Sequence, residues 1–295
     1  MKNKKKLIII GIIIVVCLAF VMCNGSDTDT DSPSDPNTST TTTTNNQSPA
    51  KDVTIPETVW VDRNGFKVVI KSIQKSFSGY TLKVSIENNS NENMGISIDD
   101  IIINDCIFSS VFVESVAAGK KANAEIDISS SDLKRANIDT IGKIEIMSHL
   151  YNPDTYVTVD DCEPLTIQTS DFNSMGSRDD SGKVLYNENG FKVISKGITK
   201  NSFGGDCVLL YIENNNSKTY GTSLEYIAVN GYMFSSMFAN TIYGGKYAVV
   251  ELDIYSTLLE ENNIDKIETV EFELSFYNSN TYQTFAKTGE VVVTK

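Results

Sequence analysis

From Thr54 onward apolar and polar side chains alternate with a period of two. Tyr80, Leu82, Val84 and Ile86 are interleaved with Thr81, Lys83, Ser85 and Glu87; Ala124, Ile126 and Ile128 with Glu125 and Asp127; Val270, Phe272, Leu274 and Phe276 with Glu271, Glu273 and Ser275. Neighbouring side chains of a strand point to opposite faces, so each run predicts a strand with one buried and one wet face. Polar clusters such as Asn88–Asn93 and Asn214–Lys218 break the runs at short intervals, the spacing of an antiparallel β-sandwich. Ser131–Asn137 and Thr257–Asn262 interrupt the period and predict a helical turn or two at a crossover between sheets, with Thr257 and Glu260 at capping-box spacing.

The same pattern occurs twice. An offset of 126 residues pairs Glu87-Asn88-Asn89 with Glu213-Asn214-Asn215, Phe108 with Phe234, Gly119-Lys120 with Gly245-Lys246, Asp127 with Asp253, and Tyr151-Asn152 with Tyr277-Asn278. At offset 125, Asn64-Gly65-Phe66-Lys67-Val68 matches Asn189-Gly190-Phe191-Lys192-Val193. Copies of this length are tandem domains rather than solenoid units. The expected organisation is all-β: two tandem sandwiches over 54–170 and 184–295, joined by a linker over 171–183. Asp171–Lys183 is rich in Ser, Asp and Gly and poor in apolar residues, so few contacts are expected to cross it.

The first residues have a different character. Lys2, Lys4, Lys5 and Lys6 precede the uncharged apolar run Leu7–Met22, which ends at Cys23. A basic end before an apolar segment predicts export, with the lysines retained on the cytoplasmic side. Residues 1–23 are thus a signal or anchor. At 1.5 Å rise, roughly 17 residues reach about 25 Å, near the lower limit for a bilayer span. Lipid attachment at Cys23, an uncleaved single span and a cleaved secretion signal all remain open. Cys17 is a small apolar residue within the run. Residues 24–53 hold almost no aliphatic or aromatic side chains and predict a disordered tether; Asp27–Asp31 alternates carboxylates but lacks the glycine and closing glutamate of a calcium loop.

Charge and chemistry narrow the function. The net charge is −13, with 17 acidic against 10 basic side chains in Glu57–Ser170 and 13 against 8 in Val184–Lys295. Both halves would repel a polyanion, so no nucleic-acid partner is expected. The repeated stretch Ile103–Phe112, matched by Val229–Phe238, shares Asn104/Asn230, Phe108/Phe234, a Ser pair and Phe112/Phe238. A seryl nucleophile needs a nearby base, and the one histidine, His149, aligns with Ser275. The stretch therefore predicts core anchors and turn-satisfying polar groups. Asp99-Asp100 aligns with Glu225-Tyr226, and Asp160-Asp161-Glu163 with Ala286-Lys287-Gly289, so no carboxylate pair is duplicated. No zinc spacing or phosphate-cradling glycine motif occurs; no enzyme activity, cofactor or metal is expected. Cys106, Cys162 and Cys207 are not shared between copies, and Cys106–Cys162 is the one bridge available within a copy.

The copies differ most in tyrosine. Tyr220, Tyr226, Tyr232, Tyr243, Tyr247 and Tyr255 stand opposite Met94, Asp100, Cys106, Ala117, Lys121 and Ser129. A flat ring with a polar tip suits recognition of a peptide or glycan, which makes the six candidate ligand-binding residues; the competing reading is that strand tyrosines are half-buried sheet formers. Asn88-Asn89-Ser90 and Asn215-Asn216-Ser217 fit a glycosylation pattern but read as turns.

The order of "GFKV", "IENN", "NG" or "ND", "GK", an acidic alternating strand and "YN-x-x-TY" across Trp60–Lys295 resembles the immunoglobulin-like domains of unknown function carried by Gram-positive surface lipoproteins and membrane-anchored proteins. The resemblance implies a β-sandwich on the outer face of the cell membrane and carries over no functional residue. The expected function is a non-catalytic, membrane-anchored binding or adhesion module facing outward. The alternatives are a structural or envelope-sensing ectodomain without a fixed ligand, and a hydrolase with its site in one copy. A tyrosine cluster on one face would favour binding, and a carboxylate pair in a concave pocket would favour hydrolysis.

Overall fold

The computed structural model describes residues 52–295; the anchor segment with Cys17 and Cys23, and the tether up to residue 51, lie outside the described residues. The first repeat runs β1 (Thr58–Arg63), β2 (Phe66–Lys75), β3 (Gly79–Asn88), β4 (Met94–Ile103), β5 (Cys106–Ser109), β6 (Val113–Val116), β7 (Lys120–Ser129), β8 (Lys143–Asn152), β9 (Val157–Asp161) and β10 (Leu165–Gln168). The second runs β11 (Lys183–Glu188), β12 (Phe191–Lys200), β13 (Asp206–Asn214), β14 (Tyr220–Val229), β15 (Tyr232–Phe234), β16 (Ala239–Ile242), β17 (Tyr247–Ile254), β18 (Thr269–Asn278), β19 (Thr284–Lys287) and β20 (Val291–Thr294).

The alternating runs become strands with their apolar faces inward. Leu82, Val84, Ile86, Ala124, Ile126 and Ile128 are buried, as are Val270, Phe272, Leu274 and Phe276. In the first repeat the antiparallel sheet β1-β2-β3-β7 packs against β10-β8-β4-β5, with β6 and β9 added at β4 and β8. In the second, β11-β12-β13-β17 packs against β15-β14-β18-β19, with β16 and β20 added at β14 and β18. Each repeat is therefore an all-β sandwich. Bulges recur at matching places: Val59/Val61 and Val184/Tyr186, Ile70/Ser72 and Ser195/Gly197, Ile98/Asp100 and Leu224/Tyr226. A bulge bends the strand and adds twist, so its duplication keeps the two sandwiches curved alike.

The shared letters set the local geometry. Asn64-Gly65 and Asn189-Gly190 both take positive φ, 53° and 80° against 52° and 77°, the tight hairpin turn that Asn-Gly favours. Asn104 donates to the Thr140 carbonyl at 2.6 Å and accepts from the amides of Gly142 and Lys143; Asn230 does the same with Lys266, Glu268 and Thr269. Asn88 and Asn214 are fully buried, each donating to one loop carbonyl, of Glu92 or Lys218, and to one strand-end carbonyl, of Val116 or Ile242, which fits the turn reading of the glycosylation-like triplets. Gly95 and Gly221 lie under the rings of Tyr151 and Tyr277, where an added Cβ would come within 2.3 Å of a ring carbon.

Three expectations need correction. The helices at Ser130–Arg135 and Ser256–Glu261 do cross between sheets, but the second is capped at Tyr255 with no side-chain cap bond, so Thr257 and Glu260 form no capping box. Phe234 is buried, whereas Phe108 is half-buried, packing partly against the core of its own repeat and partly into the joint with the second. Residues 171–183 are not a stretch with few contacts. Met175 fills the space over Gly142, Asp179 pairs with Lys196 at 3.0 Å, Asp180 with Lys192 at 2.6 Å, and Arg178 reaches both repeats. The described residues, 52–295, fall within one compact unit.

Phe191 is fully buried and stacks on Phe276 with centroids 4.0 Å apart. Phe191→Ala is expected to cost about 3–5 kcal/mol. Phe108→Ala should cost less because that side chain is only partly buried. Urea denaturation of both variants checks the ranking.

A candidate binding cleft between the repeats

The two sandwiches share a sheet. β5 pairs with β17 in parallel, Cys106 opposite Tyr247 and Ile107 opposite Ala248, so that β10-β8-β4-β5 continues into β17-β13-β12-β11. The turn before β5 makes this joint. Asn104-Asp105 occupies the place of Asn230-Gly231, and Asp105 holds a positive φ of 69° where its counterpart is glycine. The left-handed conformation costs a residue with a Cβ roughly 1 kcal/mol, less for Asp or Asn than for others. In return the carboxylate meets Lys143 at 2.6 Å, Lys246 at 2.7 Å and Arg178 at 3.4 Å, while its carbonyl accepts the Tyr247 amide at 3.1 Å. Burial alone would raise the Asp105 pKa; the two ammonium groups outweigh it and hold the carboxyl down at about 2.

Around this cluster the joint is closed by apolar and aromatic contacts. Cys106, Ala136, Ile194, Tyr211 and Tyr247 are buried together, with the Tyr211 and Tyr247 rings stacked at 5.0 Å. The Arg178 guanidinium sits 5.2 Å from the Tyr247 centroid and bonds Glu213 at 2.7 Å. Lys246 also pairs with Glu145. On the far side, Arg135 from the first repeat bonds Glu251 at 3.0 Å and Ser202 at 2.7 Å.

Beside the Arg135–Glu251 pair opens a cleft of about 790 Å³ with walls from both repeats. The bulge in β4 leaves Asp99 as the unpaired extra residue, and both Asp99 and Asp100 line the cleft. The Tyr243 hydroxyl donates to Asp100 at 2.8 Å across the joint. Burial pushes Asp100 up to about 6; the Tyr243 bond opposes this and the nearby Asp99 charge adds to it. Asp99 lies 2.7 Å from His149 Nδ1, which raises the imidazole pKa. Asp132, Arg135 and Glu251 complete the polar wall, and Phe108 and Tyr243 supply rings.

The six tyrosines do not form one recognition face, which corrects that expectation. Tyr220 is buried edge-on to Phe191 at 5.2 Å, and Tyr247 is buried in the joint. Tyr243 lines the cleft; Tyr226 is half-buried and donates to Glu290 at 2.9 Å. Tyr232 and Tyr255 are exposed at separate places, on β15 and at a helix cap. Cys106, Cys162 and Cys207 are free thiols, so Cys106 and Cys162 do not pair; burial pushes the Cys106 and Cys207 thiols up to about 12, away from nucleophilic reactivity. Among the described residues no three His, Cys, Asp or Glu side chains group as a metal site. Asp160 is tied to Arg63.

Two expectations follow. Asp105→Gly relieves the turn but leaves Lys143 and Lys246 without their shared carboxylate, so it should loosen the joint by about 1–3 kcal/mol; calorimetry should resolve a second unfolding transition. For Asp100, the folded state holds a proton that the unfolded chain releases between its ordinary 3.8 and about 6. Stability from this group is therefore present at pH 4 and is lost as pH rises to 6, with a slope of up to about 1.4 kcal/mol per pH unit. Asp100→Asn should flatten that part of the curve in denaturant titrations against pH.

No protein-family model and no curated protein matches the sequence. Among solved structures, the chain is similar to a YadV chaperone at 12% identity and a TM-score of 0.23, over 73% of this chain and 92% of that one. It is also similar to the Salmonella enterica SafA pilin in complex with the SafB chaperone at 9% identity and a TM-score of 0.19, over 70% and 86%. TM-scores this low carry no argument about what the chain does.

Proposed function

We propose that this chain is a non-catalytic, outward-facing binding module of the cell membrane, related to the Gram-positive surface domains it resembles. It is held by its N-terminal segment through lipid at Cys23 or a span over Leu7–Met22. In this reading the two repeats act as one body, and the ligand is a protein or peptide segment carrying lysine or arginine. The observation that carries it is the cleft, which exists only because the sandwiches are joined and whose walls hold Asp99, Asp100, Asp132 and Glu251 against Arg135. Excess carboxylate beside the Phe108 and Tyr243 rings suits a cationic side chain with an apolar stem. Most of these groups already have partners, as binding walls do: Asp99 with His149, Asp100 with Tyr243, Glu251 with Arg135.

A second reading, hydrolysis, is favoured by Asp100, whose pKa of about 6 suits a general acid beside the carboxylate of Asp99. The two readings separate in one experiment. A peptide array probed with the chain should retain Lys- and Arg-rich sequences, and Asp99→Asn with Tyr243→Phe should weaken the best of them at least tenfold. Turnover of a peptide or glycan, abolished by Asp100→Asn, would replace binding with hydrolysis. Retention of neutral sequences alone, indifferent to the cleft variants, would remove the cleft from the account. For the anchor, Cys23→Ala should change mass and membrane retention if lipid is attached there, and neither if the apolar run spans.

A further inference from the structure

The joint between the repeats has two unused halves, one on each repeat. β7 is the counterpart of β17 and stands at the edge of its sheet, while β15 is the counterpart of β5 and stands at the edge of its own. We infer that β15 of one copy pairs in parallel with β7 of a second copy, repeating the internal joint and joining chains head to tail.

The backbone is already set for it. Lys121 pairs with Glu87 in the register in which Tyr247 pairs with Glu213. Tyr232 and Met233 pair with Val229 and Ala228 as Cys106 and Ile107 pair with Ile103 and Ile102. Since hydrogen-bonding direction alternates along an antiparallel ladder, equal register leaves the same amides and carbonyls facing outward. Transposing the joint places Lys121 opposite Tyr232 and Ala122 opposite Met233.

Exposure points the same way. Cys106 and Ile107 are 0% and 8% exposed inside the joint, whereas Tyr232 and Met233 are 51% and 67% exposed. A strand edge with large apolar side chains invites pairing by another chain. The Lys246–Glu145 pair transposes to Lys120 of one copy and Glu271 of the other, keeping its charge complementarity. The Lys121 stem would lie on the Tyr232 ring. The remaining internal contacts are not reproduced: Gly231 stands where Asp105 gathers its cations, Ser85 and Lys121 stand where Tyr211 and Tyr247 stack, and Arg135–Glu251 becomes Glu261 against Glu125. The joint between copies is thus weaker than the internal one. A contact between two different surfaces of the same chain does not close at two copies; it propagates.

The test uses the full chain in membranes, with Met233→Cys and Ala122→Cys introduced together and joined by a short thiol crosslinker. With Cys162 replaced by serine in every variant to remove the partly exposed native thiol, a ladder of dimers, trimers and higher species is expected from the double variant and at most dimers from either single one. Adding Lys120→Glu should raise the surface density needed for half-crosslinking at least tenfold, and adding Glu261→Arg, which restores the opposite charges, should lower it severalfold. All of these positions are exposed or half-exposed, so the fold is kept. Monomers at every density, a product that stops at dimers, or a ladder unmoved by Lys120→Glu and Glu261→Arg would overturn the inference.

Discussion

A parallel ladder two residues long, Cys106–Ile107 against Tyr247–Ala248, decides the architecture. Such a ladder is too short to be worth much by itself, and parallel pairing is slightly weaker per residue than antiparallel. It persists because the groups around it are committed: the Asp105 carboxylate shared by Lys143, Lys246 and Arg178 on one side, the Arg135–Glu251 pair on the other, and a buried tyrosine stack between. Without this closure the molecule would be two sandwiches on a string and the cleft would have a single wall.

Much of the fold was legible because it depends on local rules applied twice. Period-two alternation located the strands, Asn-Gly located a tight hairpin in each copy, and the offset of 126 separated the repeats. The capping box at Thr257 failed because the helix begins at Ser256, one residue after the end of β17, leaving Tyr255 at the cap. Residues 171–183 were misread because their polarity was taken for solvation. Asp179, Asp180 and Arg178 are polar because they bond across the second sandwich and its joint.

The site was less legible, since it is made by what one copy places against the other. The clearest trace lay in the differences between copies at aligned positions: Asp105 for Gly231, Tyr247 for Lys121, Tyr243 for Ala117. Each substitution makes sense only once the partner surface is known. A tyrosine acquired by one copy can be a ligand contact or a seal against its neighbour, and the letters alone give both readings. Asp99-Asp100 was visible as an acidic pair, but its burial beside Tyr243 depends on a tertiary contact 143 residues away in sequence.

Residues 171–183 also set the strength the internal joint must have. Because this short segment is fixed at both ends, β17 meets β5 at an effective concentration in the millimolar range rather than at the concentration of protein in its surroundings. A contact of only modest intrinsic affinity is then closed nearly all the time within one chain. The same contact between separate chains would be mostly open in dilute solution and would fill only as molecules crowd together. One geometry can thus serve as a permanent joint and as a density-sensitive one, the difference lying in thirteen residues of covalent connection.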